Sequence, residues 1–150
     1  MNKLFFRFDC STIFKTSHII DFATITKNAR AWRSMSGDQT PSSSWSTINN
    51  IGTVKYTPTT SRIAICIAVD YVANSTQSNI IWIGYQINSN AIQEIGANDW
   101  YPGNCGKKVL GIGFANVTPG VEISITPKVK GASNFTMRTY NERAMFVWDL

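Results

Sequence analysis

The chain has 150 residues, of which 43% are hydrophobic and 15% are charged, and its formal net charge is +5. This length is sufficient for one domain with a substantial core. The scarcity of charge, with many Ser, Thr and β-branched residues, favours strands over helices, and no run reaches the roughly 18 apolar residues that a membrane-spanning helix needs.

The amino-terminal segment is basic, but its cations are scattered. Residues 1–33 carry six cationic side chains against two carboxylates: Lys3, Arg7, Lys15, Lys27, Arg30, Arg33, Asp9 and Asp21. Single cations predict a solvated arm or strand face, and they lack the clustered stripe that nucleic acid requires. The opening MNKLFFRFDC is interrupted by charges after three apolar residues, too early for a signal peptide, which predicts synthesis in a cytoplasm.

Short apolar or alternating runs follow one another along the chain. Residues 18–26 are the first clear strand pattern, and the polar residues 28–50 are expected to form a long loop. Further strand patterns occupy 52–58, 61–71, 80–88, 107–117, 121–130, 134–140 and 143–150; residues 90–96 form a short hairpin arm, and 98–106 a turn-rich loop. Such spacing predicts an all-β, antiparallel β-sandwich of the jelly-roll type with about 8–10 strands.

The organisation that follows from this pattern is one compact domain with two parts. Residues 1–49 supply amino-terminal strands, a loop and a tether, and residues 50–150 form the jelly-roll body. The Thr-Pro-Gly sequence at 118–120 predicts a hairpin between the strands on either side of it.

Two of these strands have an unusual second face. In 61–71 the large residues Ile63, Ile65, Ile67 and Val69 alternate with Ala64, Cys66 and Ala68. In 107–117, Leu110, Ile112 and Phe114 alternate with Gly111, Gly113 and Ala115. A small apolar face suits close approach of another backbone or subunit, or of a loop or the amino-terminal segment lying across the sheet. By contrast, apolar and polar residues alternate in 121–130, as they do in a strand with one solvent-exposed side.

The sequence offers little chemistry for catalysis. His18 is the one histidine, and the three cysteines (Cys10, Cys66, Cys105) form no Cys-x-x-Cys pair, so neither a metal centre nor a nucleophilic triad is indicated. Cys66, inside an apolar run, is expected to be a small buried hydrophobe. The carboxylates Asp70, Glu94, Asp99, Glu122 and Asp149 are dispersed, which leaves a β-sandwich glycosidase as a weak alternative. We therefore expect no catalytic residue, no metal and no cofactor.

Aromatic residues in one loop suggest a second alternative, a carbohydrate-binding, lectin-like module. The sequence NDWYPGN places Trp100 and Tyr101 beside Asp99 and Asn104. Exposed rings next to amide and carboxylate groups stack on sugars or anchor a protein partner. Alternatively, Trp100 folds over the end of the sandwich as a lid.

The order of segments in residues 50–150 resembles the trimeric jelly-roll heads of the tumour necrosis factor and complement globular-head superfamily. It looks most similar to those in viral and phage fibre, spike or decoration proteins. The matching features are the segment 57–69, the turn 118–120 and the ending Val147, Asp149 and Leu150.

The resemblance implies a homotrimer in a virion, made in the host cytoplasm, with a structural role and attachment to a host glycan or protein receptor. The amino-terminal segment would bind other capsid or virion proteins. The expected trimer interface is Ala64, Cys66, Ala68, Gly111, Gly113, Phe146 and Trp148. In the last strand, Met145 and Val147 would face the core while Phe146, Trp148 and Leu150 face a neighbouring subunit.

Overall fold

The protein is an antiparallel β-sandwich. The computed structural model describes residues 29–34, 38–73, 79–100, 106–131, 135–136 and 142–150; at 72, 73, 79, 98–100, 106, 107, 135 and 136 it describes the backbone alone. These residues contain no helix. The strands are β1 (Arg30–Ser34), β2 (Ser46–Thr47), β3 (Val54–Tyr56), β4 (Arg62–Ala73), β5 (Asn79–Ile87), β6 (Gln93–Trp100), β7 (Gly106–Asn116), β8 (Ile123–Gly131), β9 (Phe135–Thr136) and β10 (Arg143–Asp149).

The strands form two sheets of five. Sheet I has the order β1-β10-β4-β7, with β9 also paired to β4; sheet II has the order β2-β8-β5-β6, with β3 also paired to β8. Strands that follow one another in sequence mostly lie in opposite sheets, as in a jelly roll. The predicted fold class is therefore confirmed.

The core lies between the sheets and is built by period-two alternation. Ile63, Ile65 and Ile67 of β4 are fully buried, and Ile81 and Ile83 of β5 are fully buried on the opposing sheet. Burying each such side chain contributes about 1.5–3 kcal/mol. For β4 these are the large residues that the sequence pattern placed on one side of the strand.

Two glycines bring β6 and β7 into close contact across the sandwich. A Cβ atom on Gly111 would lie 2.6 Å from the carbonyl oxygen of Ile95, and one on Gly96 would lie 3.0 Å from that of Leu110. Both neighbours are backbone atoms and cannot swing aside. The absence of side chains here is therefore what allows the two sheets to approach at this edge.

The carboxylate of Asp149 links β10 to the segment that precedes β4. It accepts hydrogen bonds from the Tyr56 hydroxyl (2.8 Å), from the Thr59 backbone N–H (2.8 Å) and from the Thr59 hydroxyl. Burial, the hydrogen bond to Asp149 and the charge of Asp149 all raise the pKa of Tyr56. The phenol therefore remains a donor throughout the physiological range.

Three details of the sequence-based strand assignment are wrong. The predicted loop 98–106 overlaps both neighbouring strands, because β6 continues to Trp100 and β7 begins at Gly106. The predicted loop 28–50 contains β1 and β2. Both are short strands at the margins of the sheets, and their polar residues hide the strand pattern in the sequence. Trp32 of β1 nevertheless packs against the core. Strands β7 and β8 do not form a hairpin. They lie in different sheets, and the turn at Gly120, whose φ is 75°, takes the chain from one to the other.

Candidate functional site

The outer side of sheet I carries a continuous group of apolar side chains, which we call the apolar face. The register places Cys66 between Phe146 and Ile112, Ala64 between Trp148 and Phe114, and Ala68 between Ala144 and Leu110. The apolar face thus consists of Ala64, Cys66, Ala68, Leu110, Ile112, Phe114, Ala144, Phe146 and Trp148.

The apolar face is low in the middle and raised at the sides. The side chains of Ala64 and Ala68 on the central strand are buried beneath their neighbours. On β7, Ile112 is 43% exposed and Phe114 is 55% exposed. Phe146 and Trp148 on β10 are partly buried. The exposed apolar area of the face is therefore concentrated on β7, where a second apolar surface can cover it.

Cys66 lies at the centre of the apolar face and is only 8% exposed. Burial raises the pKa of its thiol from 9.0 to about 12. The thiol therefore stays protonated at neutral pH and behaves as a small hydrophobe, because the thiolate is the reactive form.

Charged residues lie at one end of the apolar face. Arg33 of β1 pairs with Glu142, and Lys108 of β7 pairs with Asp70 of β4 at 3.4 Å. The Glu142 side chain is 12% exposed. Burial raises the pKa of this carboxyl, although the charges of Arg33 and Lys108 act in the opposite direction. At the other end, the Arg62 guanidinium lies 5.2 Å from the centre of the Phe114 ring.

The seven residues expected at an interface do not share one surface. Ala64, Cys66, Ala68, Phe146 and Trp148 belong to the apolar face, whereas Gly111 and Gly113 point into the sandwich. A Cβ on Gly113 would lie 2.5 Å from Cε1 of Tyr85, whose hydroxyl donates to the Phe114 carbonyl at 3.0 Å. The close approach predicted for these glycines occurs, but with β6 and Tyr85 of the same chain.

The aromatic loop predicted as a binding site falls largely outside the described residues. Tyr101 and Asn104 are not described, and for Asp99 and Trp100 the structure gives the backbone as the end of β6. His18 is also outside the described ranges. The lectin-like alternative at this loop therefore stays a prediction.

The carboxylates considered for catalysis have local partners. Asp149 binds Tyr56 and Thr59, while Asp70, Glu94 and Glu122 pair with Lys108, Lys130 and Lys55. Within the ranges given above, no group of three or more His, Cys, Asp or Glu side chains has a metal-binding arrangement. The same part of the chain has no helix suited to crossing a membrane.

The sequence did not point to two tryptophans on the outer side of sheet II. Trp82 lies on β5 and Trp45 just before β2, and the Lys130 ammonium is within 5 Å of both ring centres. For Trp82 a signal existed: Ile81, Ile83 and Tyr85 face inward, so the intervening residues face outward.

Comparison with known proteins adds no relative. The sequence matches no protein-family model, and no curated protein is significantly similar to it.

Proposed function

We propose that this protein is a structural virion component that assembles as a homotrimer, with three apolar faces packed around the three-fold axis. The observation that carries the proposal is the apolar face itself. Ile112 and Phe114 stand exposed on successive outward positions of β7, across β4 from the aromatic side chains of β10. Apolar groups at this density are costly to leave in water.

A second copy of the chain is the partner that best fits this surface. The exposed side chains of Ile112 and Phe114 are apolar, so the apolar side chains of a neighbouring subunit can cover them. Covering an Ile or a Phe side chain contributes about 1.5–3 kcal/mol. A closed ring repeats this gain at every contact and leaves no apolar face open for further growth.

The virion role is supported by the resemblance of residues 50–150 to the trimeric heads of viral and phage fibre, spike and decoration proteins. In this proposal the basic amino-terminal segment that precedes β1 connects the head to other capsid or virion proteins. Loops at the far end of the head attach to a host glycan or protein receptor.

The mass of the protein in solution tests the assembly. Native mass spectrometry and light scattering should give three times the 16.7 kDa of the chain. Ile112→Lys should give a monomer with unchanged β-sheet circular dichroism, because the trimer would have to bury three ammonium groups. The matched control is Gln86→Lys, on the outer side of sheet II, which should remain trimeric.

Two results would overturn the proposal. A wild-type monomer at tens of micromolar would remove the trimer, and dissociation by both lysine variants would show that the apolar face is not specifically involved. Mass spectrometry of purified virus particles from the source tests the virion role separately, and absence of the chain from them would reject it.

A further inference from the structure

The outer side of sheet II carries a second surface, which we call the tryptophan face. It consists of Trp45, Trp82, Glu94, Lys128 and Lys130. The register pairs Trp82 with Lys130 on β8, and Gly84 with both Lys128 on β8 and Glu94 on β6. Paired residues project to the same side of a sheet, so these side chains form one surface.

The two tryptophans are held in place by one lysine. The Lys130 ammonium lies 4.6 Å from the centre of the Trp45 ring and 4.9 Å from that of Trp82. Its side chain remains 26% exposed, and the Glu94 carboxylate lies 3.5 Å from the ammonium. A cation over each ring fixes the rings while leaving the ammonium accessible to a ligand.

Gly84 forms the floor beneath Trp45. A Cβ atom at this position would lie 2.5 Å from the Gln93 carbonyl oxygen and 3.3 Å from Cη2 of Trp45. The pairing of β5 with β6 shifts at the same place, between Ile83 and Gly84. The irregular strand pair and the missing side chain together let the indole of Trp45 come close to the backbone of β5.

A second cation on this surface has no carboxylate partner among the described residues. Lys128 donates to the Thr47 hydroxyl at 3.3 Å, and no described carboxylate comes within 4 Å of its ammonium. Lys128 and Lys130 are two positions apart on one strand, a spacing of about 6–7 Å. The tryptophan face therefore presents two cations against one carboxylate, next to two aromatic rings.

We propose that the tryptophan face binds an acidic saccharide. The apolar C–H face of a pyranose ring would stack on the exposed part of the indoles, where a flat aromatic surface is available. A carboxylate or sulfate on the sugar would pair with Lys128 and Lys130, and the Thr47 hydroxyl and Glu94 carboxylate would bond to its hydroxyls. The excess of positive charge, here and over the whole chain, complements an acidic sugar.

The same features favour a saccharide over nucleic acid. The Lys130 ammonium already occupies one side of each indole, which hinders insertion of a base between them. Two lysines also fall short of a basic track along several phosphates.

Isothermal titration of the full chain with defined hexasaccharides tests this site. The probes are a sulfated heparin fragment, a carboxylated oligogalacturonate and neutral maltohexaose, with oligo(dT) as the nucleic acid. We expect at least one acidic hexasaccharide to bind and the other two probes not to bind. Binding of the sulfated probe would identify a sulfate as the anionic group that the site recognises, and binding of the carboxylated probe would identify a carboxylate.

Variants then locate the binding. Lys128→Ala and Trp45→Ala should each weaken binding at least tenfold, whereas Lys55→Ala, at an exposed lysine elsewhere on sheet II, should leave it unchanged. Glu94→Gln should tighten binding several-fold, because it removes the repelling charge and releases Lys130; a purely structural role of Glu94 would not produce a gain.

Three outcomes would overturn the proposal. They are no binding of either acidic probe at millimolar concentration, tighter binding of maltohexaose or oligo(dT), and an equal loss in Lys128→Ala and Lys55→Ala. Circular dichroism of each variant confirms that a loss does not arise from unfolding. The test does not depend on assembly, since the tryptophan face and the apolar face lie on opposite sides of the sandwich.

Discussion

The two outer surfaces of this sandwich differ in almost every respect, although both are antiparallel sheets of the same chain. The apolar face of sheet I has no charge in its centre, and its middle strand contributes Ala64, Cys66 and Ala68. The tryptophan face of sheet II combines two indoles with lysines and a carboxylate. A single sandwich thus presents one apolar outer surface and one that combines aromatic rings with charges.

The difference can be traced to which residues alternate with the core residues. In β4 and β7 the residues between the inward positions are small or apolar, and in β8 they include Lys128 and Lys130. Both patterns satisfy the requirement for a buried inner side equally well. Packing of the core therefore does not constrain the outward residues, and their character can differ between the two sheets.

The largest expected effect concerns the thiol at the centre of the apolar face. Because burial raises the pKa of Cys66 from 9.0 to about 12, its reaction with an alkylating reagent should be at least about tenfold slower in the native protein than in the urea-unfolded chain. The rate should still rise about tenfold per pH unit up to pH 9.5. Peptide mass spectrometry measures Cys66 separately from the other cysteines, and a plateau near pH 9 would show that this thiol is hydrated.

A smaller effect distinguishes the inner and outer sides of β7 at adjacent residues. Gly111→Ala pushes a methyl group against the Ile95 carbonyl and should lower the free energy of unfolding by about 1–3 kcal/mol, whatever the protein concentration. Ile112→Ala removes outward surface and should act through assembly, so its effect on stability should depend on protein concentration. Urea unfolding at two concentrations separates them, and the same concentration dependence for both variants would contradict this assignment of sides.

The smallest effect is a pH dependence at the charged end of the apolar face. Since burial raises the pKa of Glu142 in the folded state, its ionised form destabilises the fold. This penalty is absent below the unfolded pKa of about 4.3 and complete above the raised folded value. Glu142→Gln should therefore be slightly more stable than wild type at pH 7 and equal to it at pH 4, measured by thermal unfolding. A variant that is less stable at pH 7 would mean that the pair with Arg33 outweighs burial.

The sequence predicted those parts of the fold in which packing and alternation agree. Strand β4 is an example: the alternation of Ile63, Ile65 and Ile67 with small residues shows which side of the strand faces the core. The sequence failed for β1 and β2, because a short strand at the margin of a sheet buries few side chains and leaves a weak pattern. It failed for the supposed hairpin of β7 and β8, because the turn at Gly120 looks the same whether the chain stays in one sheet or crosses to the other.

The functional surfaces were predictable to different degrees. Alternation placed Cys66 and Phe146 correctly on outward positions of sheet I, but it could not decide whether the small side of β7 faces a neighbour or the chain's own β6. Trp45 could not be placed at all, since it lies in a serine-rich stretch that is typical of a loop. Its position over Gly84 depends on a strand irregularity, which is a tertiary feature.

The position of β10 within sheet I has a consequence for synthesis on the ribosome. This strand pairs with β1 on one side and β4 on the other, yet both are translated long before residues 143–149. Until then their facing edges have no native partner, and each carries unpaired backbone groups that invite pairing between nascent chains. Sheet I can therefore close only after β10 has left the ribosome. Neighbouring chains on the same polysome are at risk of exchanging this strand.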